Sequence, residues 1–90
     1  MKLLLVDDES DFRNTLLKRL QRRNVDVHGV ESGETALAWI ENEQADVVIL
    51  DVRMPGMDGI ETLRQIKSRH PLVEVIMLTG HASMEAAIQG

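Results

Sequence analysis

Ninety residues carrying 15 acidic and 10 basic side chains, a formal net charge of −5, suffice for one small domain spanning 1–90. That charge argues against a nucleic-acid or anionic-membrane surface as the main partner. Cysteine is absent, which excludes disulfides and thiolate metal sites and suits a reducing compartment. The start of the chain looks like a signal peptide only until Asp7-Asp8-Glu9, and no apolar run approaches membrane-spanning length, so a soluble cytoplasmic protein is expected.

Leu3 to Val6 reads as a first buried strand that ends in two carboxylates, Asp7 and Asp8. From Ser10 onward Phe12, Leu16, Leu17 and Leu20 recur at helical spacing, with Arg13, Lys18, Arg19, Gln21 and Arg22 on the other side. Asn24 suits the stop of this helix. Val25 to Val30 partly alternates and reads as a strand nearer an edge. Ser32 suits the cap of a second helix, with Ala36, Leu37 and Ile40 inward and Trp39 flanking.

Val47-Val48-Ile49-Leu50-Asp51 is a short continuous apolar run, the habit of a strand buried on both faces of a parallel sheet. The turn Met54-Pro55-Gly56-Met57-Asp58-Gly59 stops it. Asp51 thus falls at the carboxyl end of a central strand, where open α/β sheets place their ligand sites. Asp58 and Glu61 have capping-box spacing, and Ile60, Leu63 and Ile66 give a third helix its apolar stripe, closed by His70-Pro71. Val75 to Leu78 reads as a fourth buried strand, ending at Thr79-Gly80, with Ser83 suited to cap a fourth helix. Four β-α repeats imply an α/β fold, a parallel sheet with helices on its faces.

If the first and third strands are neighbours, Asp7, Asp8 and Asp51 converge. Two unit charges about 4 Å apart repel by roughly 4 kcal/mol at an effective dielectric near 20. Such a cluster either retains protons or holds a divalent cation. Oxygen-only ligands suit Mg²⁺ or Mn²⁺ better than Zn²⁺. A carboxylate beside such a cation can attack a phosphorus centre. Thr79 can offer a hydroxyl to the same phosphoryl oxygens or be an ordinary strand-end residue.

Val6-Asp7-Asp8-Glu9, Leu50-Asp51 with its Met-Pro-Gly-Met-Asp-Gly turn, and Met77-Leu78-Thr79-Gly80-His81 closely resemble the receiver domain of two-component response regulators. The resemblance runs from end to end. It implies a flavodoxin-like (CheY-like) sheet in the order 2-1-3-4. It makes Asp51 the phosphoacceptor, serving a sensor histidine kinase. Asp8, Asp51 and the backbone carbonyl of Arg53 become Mg²⁺ ligands, with Asp7 acting through a coordinated water. Thr79, with Gly80, becomes the switch contact to the phosphoryl group, and an output domain or partner protein lies outside this chain.

The family continues into a fifth strand, ending in a Lys that pairs with the phosphoryl group, and a fifth helix; this sequence has neither. Phosphotransfer is therefore expected to be impaired, with Arg53 as a candidate for partial charge compensation. The fourth strand should be an exposed apolar edge through which the chain self-associates. One sheet face should have only the first helix as cover. Two other readings compete: a receiver-like interaction module that is not phosphorylated, and a haloacid dehalogenase-type phosphatase. The second wants an acid two residues after Asp51, where Arg53 stands. Direct nucleic-acid binding, membrane insertion and turnover of an external substrate are not expected. His28, His70 and His81 lack ligand spacing, and Trp39 is expected to serve as a fluorescence reporter.

Overall fold

A computed structural model describes residues 1–54 and 56–78. Its elements alternate as β1 (Lys2–Val6), α1 (Ser10–Arg22), β2 (Asp26–Val30), α2 (Gly33–Asn42), β3 (Val47–Asp51), α3 (Gly59–Arg69) and β4 (Glu74–Leu78). The strands form one sheet in the order β2-β1-β3-β4, with every pairing parallel. The parallel sheet is the one expected from the alternation of short apolar runs with amphipathic segments, and its strand order is the flavodoxin-like order that the receiver-domain resemblance implies. The expected fourth helix, with its Ser83 cap, lies outside the described residues, as do Thr79, Gly80 and His81.

Side chains of successive strand residues point to opposite faces, and the two faces are covered differently. Leu4, Val6, Val48 and Leu50 join Ala36, Leu37, Ile40 and Ile66 in the main core, beneath α2 and α3. On the other face α1 packs against β2 and β1. None of the residues of α1 is fully buried, and Phe12, Leu16, Leu17 and Leu20 are half-buried. Among the described residues one helix has to serve the whole of that face, and Ile76 on β4 remains 52% exposed. No described helix is long and apolar enough to cross a membrane.

Local chemistry explains where the helices begin and end. Asn24 takes a left-handed φ of 63°, a conformation Asn tolerates, and ends α1 as expected. Ser32 caps α2 by accepting the Thr35 N–H at 3.1 Å, while the Thr35 hydroxyl oxygen accepts the Ser32 N–H, also at 3.1 Å. Asp58 caps α3 by accepting the Glu61 N–H at 2.8 Å. The reciprocal half of that capping box does not form, because the Glu61 side chain turns to Arg64 and Gln65.

The phase of α3 also differs from the expected Ile60-Leu63-Ile66 stripe. Ile60 is 48% exposed, and the fully buried residues are Gly59, Thr62 and Ile66. Thr62 can face inward because its hydroxyl donates to the Asp58 carbonyl at 2.8 Å. A Cβ on Gly33 would run into that same hydroxyl, so α2 and α3 meet there through a glycine. Polar satisfaction and a close backbone approach set the helix rotation, and the count of apolar residues does not.

Candidate metal and phosphoacceptor site

The register of the central strands builds the site. Leu3 to Val6 pair with Val47 to Leu50, so Asp7 follows Val6 alongside Asp51 following Leu50. Carboxylate oxygens of Asp7, Asp8 and Asp51 lie within 4.8 Å of one another. Asp7 is fully buried and Asp51 is 5% exposed, while Asp8 faces solvent. The sequence expectation that these three acids converge is met in the fold.

Each buried acid is oriented by its own loop. Asp7 Oδ1 accepts the Glu9 N–H at 2.8 Å, and Asp51 Oδ1 accepts the Arg53 N–H at 3.1 Å. Both bonds reach two residues onward, the geometry by which Asp shapes the turn that follows it. Two charged carboxylates no more than 4.8 Å apart repel by roughly 3.5 kcal/mol or more at an effective dielectric near 20. The donor set is three carboxylates with one solvent-facing member and no nitrogen or sulfur, which fits a hard divalent cation that keeps part of its water shell.

The loop after β3 is held from two directions. Gly59 donates its N–H to the Val52 carbonyl at 3.0 Å, and a Cβ there would collide with the Asp51 carbonyl oxygen. Gly56 sits at φ 75°, where a side chain would be strained. Met57 donates its N–H to Glu34 Oε1 at 3.3 Å, tying the loop to the first turn of α2. Val52, Arg53, Met54 and Asp58, in the loop that follows Asp51, line a shallow open depression of about 480 Å³. On the other side β4 continues the ladder, with Leu78 in register with Asp51 and its carbonyl accepting the Val52 N–H at 2.9 Å.

Two expectations from the sequence change. Arg13, assigned to the outer side of α1, is half-buried, and its guanidinium Nη1 donates to the Asp7 backbone carbonyl at 2.7 Å. Helical periodicity fixes the direction of a Cβ but not the destination of a long side chain. Trp39 is not near the acids. It stacks on His28, with ring centroids 5.2 Å apart, beneath the ammonium of Lys2. Lys2 and Asp7 are at opposite ends of β1, about 16 Å apart at strand rise. Trp39 is therefore a poor reporter of the site.

Comparison with known proteins agrees with this geometry. The model of the response regulator receiver domain family matches residues 3–90. The DNA-binding transcriptional regulator NtrC of Salmonella typhimurium is 40% identical over 84 residues, covering 93% of this chain and 18% of NtrC. The chain thus spans less than a fifth of that relative's length. Among solved structures, the response regulator TrrA from Thermotoga maritima, in complex with Mg²⁺ and BeF, superposes with a TM-score of 0.84 at 33% identity. The match covers 94% of this chain and 74% of that one. The N-terminal domain of a receiver protein from Methanoculleus marisnigri gives 0.83 at 33% identity, covering 89% of this chain and 67% of the other. An Asp pair and a single Asp on adjacent parallel strands, in a chain matched almost throughout, leave one assignment: the chain belongs to the response regulator receiver domains of two-component systems.

Proposed function

We propose that Asp51 accepts a phosphoryl group from the phosphohistidine of a sensor histidine kinase. The observation that carries this reading is the convergence of Asp7, Asp8 and Asp51 within 4.8 Å at the carboxyl ends of β1 and β3. In the step, an Asp51 carboxylate oxygen forms a bond to phosphorus as the phosphorus–nitrogen bond to imidazole breaks, leaving an acyl phosphate on Asp51 and a free histidine. Mg²⁺ or Mn²⁺, when bound, neutralises charge on the phosphoryl oxygens. Asp8, Asp51 and the Arg53 backbone carbonyl would hold it directly, and Asp7 would do so through water.

The remaining roles follow the same reading. The Arg53 N–H holds Asp51 Oδ1 at 3.1 Å and so fixes the orientation of the acceptor carboxylate. The Arg53 side chain is exposed two residues past Asp51 and is the candidate for partial charge compensation. Thr79 and Gly80, the two residues that follow the Leu78 paired with Asp51, would supply the switch contact to the phosphoryl group and lie outside the described residues. The phosphorylated form acts on an output domain or partner protein, in the cytoplasm, with no external substrate turned over.

A phosphoryl mimic tests the reading without a kinase. Beryllofluoride with Mg²⁺ should raise the melting temperature above that given by Mg²⁺ alone. A ligand at a hundredfold excess over its Kd stabilises the native state by about 2.7 kcal/mol. No increment from beryllofluoride would favour an interaction module that is not phosphorylated.

A further inference from the structure

We infer that Arg13 is a positioning residue for the acidic pocket, acting through the peptide that joins Asp7 to Asp8; this rests on the metal reading above. The carbonyl that Arg13 Nη1 binds at 2.7 Å belongs to Asp7, and the nitrogen of that same planar peptide belongs to Asp8. Fixing the carbonyl therefore fixes the plane from which the Asp8 side chain departs. Asp7 is independently held, by its N–H to the Val30 carbonyl at 3.1 Å and by its Oδ1 to Glu9. Asp8 faces solvent, so the orientation of this peptide has the most influence on it.

The route that Arg13 takes is built into β2. Gly29 faces α1, and a Cβ there would lie 3.3 Å from Arg13 Cδ, 3.4 Å from its Cγ and 2.8 Å from Leu17 Cδ1. Glycine inside a strand weakens it and marks a close approach. Here it lets the arginine stem lie across the sheet, with its head at the end of β1. A charge-assisted bond to a carbonyl from a planar fork is a strong and directional restraint.

The sign of the effect separates this role from two others. A +1 charge beside carboxylates opposes a divalent cation, so simple removal of that charge should tighten metal binding. Loss of a geometric restraint should weaken it. Mg²⁺ affinity is to be measured by calorimetry on wild type, Arg13→Ala, Arg13→Lys and Gly29→Val, each checked by circular dichroism, with melting temperatures taken in EDTA. Arg13→Ala should weaken Mg²⁺ on the order of tenfold, as groups that orient metal ligands commonly do. Arg13→Lys, which retains a donor and the charge, should recover part of that loss. Gly29→Val keeps the charge but lifts the stem, and should weaken Mg²⁺ in the same direction.

A lower melting temperature with unchanged Mg²⁺ affinity in both Arg13→Ala and Gly29→Val would make Arg13 a packing residue and overturn the inference. Tighter binding in Arg13→Ala would make it a counter-ion and overturn it equally. Wild type that binds no Mg²⁺ would overturn the metal reading and this inference together.

Discussion

Asp51→Asn should abolish phosphorylation while leaving the metal-free protein as stable as wild type or more so. A carboxamide cannot form the acyl phosphate, so incubation with a small-molecule phosphoryl donor should give no mass increment on the intact chain, where wild type gains one phosphoryl group. The turn after β3 should survive, because the Asn oxygen can still accept the Arg53 N–H that Asp51 Oδ1 accepts at 3.1 Å. One of three carboxylates clustered within 4.8 Å disappears, which relieves a repulsion of roughly 3.5 kcal/mol or more per charged pair at an effective dielectric near 20. Denaturant unfolding in EDTA checks that half of the prediction. A loss of several kcal/mol would show that the Asp51 charge is a structural partner and that repulsion does not dominate the cluster.

The second large effect lies at Gly59, the first residue of α3. Helix propensity alone says that Ala should be better than Gly there, by up to about 1 kcal/mol. The fold says otherwise. An added Cβ would meet the Asp51 carbonyl oxygen, and Val52 Cα at 2.6 Å, so the obstruction is backbone and cannot rotate away. Inserting atoms into a packed contact costs about 1–3 kcal/mol, and here the strain falls on the residue that carries the proposed acceptor. Gly59→Ala should therefore be destabilised by about 1–3 kcal/mol and should bind Mg²⁺ more weakly than wild type. Denaturant unfolding and Mg²⁺ titration check the two parts. A stabilised Gly59→Ala variant would mean that α3 can back away from β3 freely.

The contrast between these two residues shows what the sequence carries. Asp51 was legible because a run of four apolar residues cannot absorb a carboxylate, so its position at a strand end and beside the Asp7-Asp8 pair followed from burial and strand order. The parallel sheet was legible for the same reason, and the receiver-type motifs supplied its strand order. Gly59 read as a turn glycine. Its contact with the Asp51 carbonyl is a property of how α3 docks on β3, and no local pattern encodes that distance.

Ile60 shows the same limit. It fits an apolar stripe with Leu63 and Ile66, yet the inward position went to Thr62, whose hydroxyl is satisfied by the Asp58 carbonyl. The helical pattern places Arg13 on the outer side of α1 and assigns Glu34 no role, yet each reaches across to hold backbone at the site. A signal for Arg13 did exist in Gly29, a glycine inside a strand, but it takes the pairing of β1 with β2 to say what occupies the gap.

The central claim is that one cation is shared by acids from two strands, and Asp8 is its most direct test. Asp8 is exposed, so Asp8→Asn perturbs the core little, and neutralising it removes one proposed direct ligand. Calorimetric titration with Mg²⁺ should show a single site on wild type, weakened by at least about tenfold in Asp8→Asn. Equal Mg²⁺ affinity in the two proteins would contradict the shared site.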